Sequence, residues 1–125
     1  ASMAASMARA NVETLNPEVR AEPARELSVE SVTLDAFTAE RGLRPDVIKI
    51  DVEGAEFRVL QGARRMLAGG SPLIFCEIHP QQMQNVGGSV AELLDLVASL
   101  GYTATPIDRP NPAGIYHARI EKVRR

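Results

Sequence analysis

The stretch Asp46-Val47-Ile48-Lys49-Ile50-Asp51-Val52-Glu53-Gly54-Ala55-Glu56 decides the fold. Pro45-Asp46 introduces a compact, β-branched run from Val47 to Ile50, which reads as a buried strand. Acidic residues and a glycine follow at once, and Glu53-Gly54-Ala55-Glu56 opens a helix. The apolar positions Val59, Leu60, Ala63, Met66 and Leu67 repeat at the three-four spacing of one buried helical face. Acids in the first turn and Arg64-Arg65 near the last suit the helix dipole, and Gly69-Gly70 supplies the stop. The spacing predicts one helix across this whole interval.

Downstream, Pro72 and Leu73-Ile74-Phe75-Cys76-Glu77-Ile78 form a second buried strand, ended by Pro80. A Gln-rich loop then runs to Gly87-Gly88. Ser89-Val90-Ala91-Glu92 is a capping box, and the helix it starts buries Val90, Leu93, Leu94, Val97 and Leu100 before Gly101. Tyr102-Thr103-Ala104-Thr105 and Ile115 to Ile120 read as a terminal hairpin around Pro110-Asn111-Pro112.

Upstream, Leu27-Ser28-Val29-Glu30-Ser31-Val32 alternates like a short, half-exposed strand. Thr33 is the N-cap of a short helix through Leu34, Phe37 and Ala39, ending near Gly42. Residues 1–26 are poorly defined, with Asn16-Pro17 and Glu22-Pro23 marking loop or frayed helix, and residues 27–125 form the domain. Strands alternating with helices across short connections imply right-handed crossovers and a parallel sheet. A last antiparallel hairpin strand makes that sheet mixed. The fold class is α/β.

Composition narrows the function. The chain has 125 residues, 45% hydrophobic and 24% charged, enough to build one core. A net charge of −2 offers no electrostatic footprint for DNA or RNA, and Lys122-Val123-Arg124-Arg125 reads as a solvated tail. No run approaches the roughly 18 apolar residues of a membrane span. The single cysteine, Cys76, excludes an internal disulfide and any Cys-rich zinc site, and it reads as a small buried hydrophobe. The start has neither an initiator methionine nor the apolar centre of a signal peptide, which a cytoplasmic fragment would explain.

Ligands of open α/β sheets bind outside the carboxyl ends of the strands. The first strand delivers Asp51 and Glu53 there, and the second delivers Glu77 and His79. One crossover joins these strands, so their ends share a crevice where three carboxylates and an imidazole converge. Each residue also has a structural reading. Asp51 and Glu53 precede a helix whose free N–H groups attract carboxylates, and Glu56 reads as a first-turn capping residue. Glu77 can tie down a loop, Gly54 can serve a tight turn or the approach of a ligand, and His117, within a strand, reads as structural. Neither a Gly-x-Gly-x-x-Gly loop nor a phosphate loop ending in Gly-Lys-Ser/Thr occurs, and no serine elbow is present.

Three segments resemble the FkbM family of S-adenosylmethionine-dependent methyltransferases. They are Val32-Thr33-Leu34-Asp35-Ala36-Phe37, the string Asp46 to Glu56 with Val59-Leu60-Gln61-Gly62-Ala63, and Pro72-Leu73-Ile74-Phe75-Cys76-Glu77-Ile78-His79-Pro80. Leu93-Leu94 through Gly101-Tyr102 fits the helix and strand that follow. The resemblance runs from about Leu27 to Tyr102 and implies a Rossmann-like sheet of seven strands, to which this chain contributes from the fourth onward. The family's Gly-rich cofactor loop and its acid for the cofactor ribose belong to the first two strands, and nothing before Leu27 resembles either. The N-terminal strands are therefore expected to be missing, in an excerpt or a degenerate relative.

The resemblance implies S-adenosyl-L-methionine as cofactor and a hydroxyl of a small molecule, sugar or lipid as acceptor. Asp51, Glu77 and His79 are the expected catalytic residues, with Asp51, Glu53 and Gly54 at the cofactor. A base is worth roughly 10²–10⁴-fold in such a transfer, and an imidazole has the suitable ordinary pKa. A divalent cation on Asp51, Glu53, Glu77 and His79 ranks below the direct base, because spacing cannot establish coordination. The competing reading is a non-catalytic α/β module that pairs, as a homodimer for instance, through an exposed sheet edge. A phosphoacceptor receiver domain lacks its acidic pair and its late lysine, and a metal-dependent hydrolase lacks further His ligands.

Overall fold

A computed structural model describes residues 24–124, which divide between Val32 and Thr33 into two units. In the first unit, residues 24–32 carry neither helix nor strand and are exposed. The strand expected at Leu27–Val32 is absent: alternation gives a strand its two faces but supplies no partner for its backbone groups.

The second unit begins as the sequence indicates. Thr33 Oγ1 accepts from the Ala36 N–H at 3.1 Å and caps α1, Leu34–Arg41, which ends at the left-handed Gly42. Strand β1, Val47–Ile50, follows. Among the described residues it lies at the edge of the sheet, and only Ile50 is buried while Val47 is 61% exposed. The fully buried strand expected from its composition is thus half open.

The crossover from β1 holds two short helices, α2 (Glu56–Gln61) and α3 (Arg64–Gly69), where one was expected. The break at Gly62-Ala63 is held from outside. Asp35 on α1 donates its N–H to the Gly62 carbonyl at 2.8 Å, and its carboxylate accepts from the N–H groups of Arg65 (3.1 Å) and Met66 (2.8 Å). A distant carboxylate thus satisfies the free donors at the start of α3, which a side chain of α3 itself would otherwise have to do. Leu60, Ala63 and Leu67 still face the core through the break.

Strand β2 is Leu73–Ile78. The Gln-rich segment after it is helix α4, Pro80–Val86, and not a loop. Proline suits a first helical turn, and Gln82, Met83 and Val86 bury one side of the helix. Helix α5, Val90–Ser99, starts at Ser89, whose Oγ accepts from the Glu92 N–H at 3.1 Å. It buries Leu93, Leu96 and Val97, whereas Leu94 is exposed. A helical turn brings Leu96 under the core where the sequence suggested Leu94.

Among the described residues, strands β3 (Tyr102–Pro106) and β4 (Tyr116–Lys122) complete a four-stranded mixed sheet in the order β1-β2-β4-β3. β1 and β2 are parallel, and β4 is antiparallel to both β2 and β3. The last strand therefore returns into the sheet and not along its outside. Ile74, Ile78, Leu93 and Ile120 are fully buried at the centre of the core.

Candidate functional site

Register places the site. Ile50 is opposite Cys76 at the last register pair of β1 and β2, so Asp51, just past β1, lies beside Glu77 near the end of β2. His79 follows and sits under the start of α4, only 2% exposed. Its Nε2 stands 3.3 Å from Glu77 Oε1 and 4.0 Å from Asp51 Oδ1. Asp51 is 43% exposed and Glu77 is half-buried, so the group opens to solvent. Ligand atoms of Asp51, Glu77 and His79 all lie within 4.8 Å of one another, a set able to hold a metal ion.

Glu56 belongs to this group, which the capping interpretation missed. It is completely buried at the start of α2, and its Oε1 accepts from the His79 N–H at 3.1 Å and contacts the ring Nδ1. An ionised carboxylate can only accept, so this contact calls for a proton on Nδ1, while Nε2 faces the Glu77 and Asp51 carboxylates. Sequence spacing does not distinguish this role from capping, because both need an acid in the first turn.

The residues between Asp51 and Glu56 make the turn. Glu53 adopts φ 47° and Gly54 φ 112°. A Cβ on Gly54 would lie 2.8 Å from the backbone of Gln82, so α4 occupies the space that the missing side chain leaves. Glycine here permits helix-to-turn packing on that side, and Glu53 is partly buried beside it.

His117 also joins the group. It is the direct cross-strand partner of Glu77, and its Nε2 lies 3.4 Å from Glu77 Oε2. Asp108, in the loop after β3, accepts from the His117 N–H at 2.7 Å and contacts Nδ1 at 2.7 Å. These contacts hold the Asp108 carboxyl below its ordinary range and raise the His117 imidazole above its own. Only the fold of the hairpin brings residues 108 and 117 together.

Burial, and then the negative field of Glu56, Asp51 and Glu77, push the Cys76 thiol up to about 12. A thiol so held is inert as a nucleophile at neutral pH. A separate concavity of about 880 Å³ opens at the amino ends of β1 and β2, lined by Thr33, Asp35, Asp46 and Pro72 among others. It contains none of the residues just described, and two Asp35 oxygens there are committed to capping α3. The carboxylates and imidazoles just described lie at the opposite ends of these strands.

Among the described residues, no helix is long and apolar enough to cross a membrane. No curated protein and no solved structure matches the chain. The family model of the methyltransferase FkbM domain matches residues 2–104, reaching well upstream of the segments on which the resemblance was built. The chain belongs to the FkbM methyltransferase family.

Proposed function

We propose that this protein is an S-adenosyl-L-methionine-dependent methyltransferase acting on a hydroxyl of a small molecule, sugar or lipid, with residues 27–125 as the carboxy-terminal part of its Rossmann-like domain. The observation that carries this is the convergence of Asp51, Glu77 and His79 outside adjacent parallel strands, with Glu56 behind the imidazole. When bound, the cofactor supplies a cationic sulfonium whose methyl group the acceptor oxygen takes. The Asp51 and Glu77 carboxylates at the open cleft fit such a cation and its hydroxyl groups. Glu56 Oε2 and Gln82 Oε1 are buried and have no hydrogen-bond partner among the described residues.

In this reading His79 Nε2, bordered by Glu77 and Asp51, would receive the proton of the acceptor hydroxyl. Glu56 fixes the tautomer and stabilises the imidazolium that results, as the carboxylate of a catalytic triad does. Asp51, on the strand end, orients the acceptor hydroxyl, and Asp51, Glu53 and Gly54 border the cofactor. Alignment of oxygen, carbon and sulfur is the main task of such a site. A divalent cation is the second reading, favoured by the ligand set of Asp51, Glu77 and His79. Turnover that survives exhaustive chelation would remove it.

Calorimetric titration of the purified protein with S-adenosyl-L-methionine tests the main reading. Saturable binding, weakened on the order of tenfold by Asp51→Ala (about 1.4 kcal/mol), is the expected result. No binding, together with a stable dimer, would favour a non-catalytic module that pairs through its open β1 edge.

A further inference from the structure

Two imidazoles flank Glu77, and they are held alike. Each has a carboxylate at Nδ1, Glu56 for His79 and Asp108 for His117, and each turns Nε2 toward a different Glu77 oxygen, at 3.3 Å and 3.4 Å. Glu77 and His117 are facing partners across β2 and β4, so the sheet itself sets their separation. Asp108 grips His117 through both the backbone N–H and the ring, and the Ile107 N–H donates to the His117 carbonyl at 2.8 Å.

Glu77 needs such a hold. Asp51 and Glu77 both approach His79, and like charges at one imidazole repel. A half-buried carboxylate with only that neighbour would turn to solvent. The His117 ring, with Nε2 3.4 Å from the second Glu77 oxygen, holds that oxygen and leaves the first beside His79. The groups facing His117 are Glu77 from β2 and Asp108 from the loop, while Arg119, next on the same face of β4, pairs with Glu121 at 3.4 Å.

We propose that His117, clamped by Asp108, is a positioning residue of the cleft that fixes one oxygen of Glu77 so that the other stays beside His79. The inference rests on the reading of Asp51, Glu77 and His79 as the methyl-transfer site, and it extends that site to β4 and the loop before it.

The chain has two histidines, so ring ¹⁵N–¹H spectra of the full protein contain two sets of signals, assigned with His117→Gln. A pH titration needs no acceptor. The expected result is an inflection in the His79 signals at the pH where His117 titrates. Asp108→Asn moves that inflection to lower pH in both rings, Asp108→Glu restores it, and Glu77→Gln removes it from His79 while His117 still titrates. His79 signals that stay flat through the His117 titration of the wild-type protein overturn the proposal, whether or not the variants fold. So does an inflection that persists in Glu77→Gln. Loss of cofactor binding with this coupling intact would sink the methyltransferase reading alone.

Discussion

At the scale of single residues, the contact between Glu56 and His79 decides what the cleft can do. Glu56→Gln would offer the ring an amide N–H where it now meets an acceptor, which favours the opposite tautomer and covers the Nε2 lone pair with a proton. Turnover should fall by about 10²–10⁴-fold with cofactor affinity little changed. Parallel measurement of initial rates and of cofactor binding checks this, and an unchanged rate would remove His79 as the base. Asp51→Asn should likewise reduce turnover far more than it weakens cofactor binding, and wild-type rates would take Asp51 off the site. The Asp108–His117 pair makes a prediction about pH. His117 is raised chiefly by its hydrogen bond to Asp108, so its contribution is complete below its ordinary value of 6.5 and is lost as pH rises through the higher folded value. Asp108 is lowered chiefly by the His117 N–H, so its contribution is complete above its ordinary 3.8 and is lost as pH falls through the lower folded value. Urea midpoints measured across pH should therefore lose part of their slope on both sides in Asp108→Asn. Asp51 and His79 were legible as polar residues after the strands, whereas Glu56 looked like a cap and Asp108 gave no signal.

At the scale of elements, the crossover between β1 and β2 is set by contacts from elsewhere. Asp35→Ala removes two acceptors from the N-terminal amides of α3 and should destabilise the protein by about 1 kcal/mol, the usual worth of a helix cap. Chemical denaturation would read the loss, and an unchanged midpoint would mean that water satisfies those amides equally well. Gly54→Ala meets both a left-handed φ and the backbone of Gln82 at 2.8 Å. A cost of roughly 1–3 kcal/mol follows from strain of this kind, read in the same denaturation series. Local signals served well where the partner lies within a few residues, as at Thr33 and Ser89. They failed at the break in the crossover and at α4, where the deciding contacts come from α1 and from the turn around Gly54.

At the scale of the molecule, one core joins the mixed sheet to its helices. Ile120 is fully buried on β4, opposite Ile74 of β2 and Ala104 of β3. Ile120→Ala should cost about 2–5 kcal/mol, more than any surface change, because both neighbouring strands lose the same contact. Thermal and urea unfolding check this, and a loss below 1 kcal/mol would show that the site collapses to fill the space. The sequence by itself determined the α/β class, the two parallel strands, the capped helix at Ser89 and the acids at the strand ends, since periodicity and capping are properties of neighbours along the chain. Only the tertiary structure decided that β4 inserts between β2 and β3, that β1 stands half open, and that Glu56 and His117 join His79 and Glu77. Those outcomes depend on register and burial, which bring together residues far apart in sequence, and no local pattern encodes them.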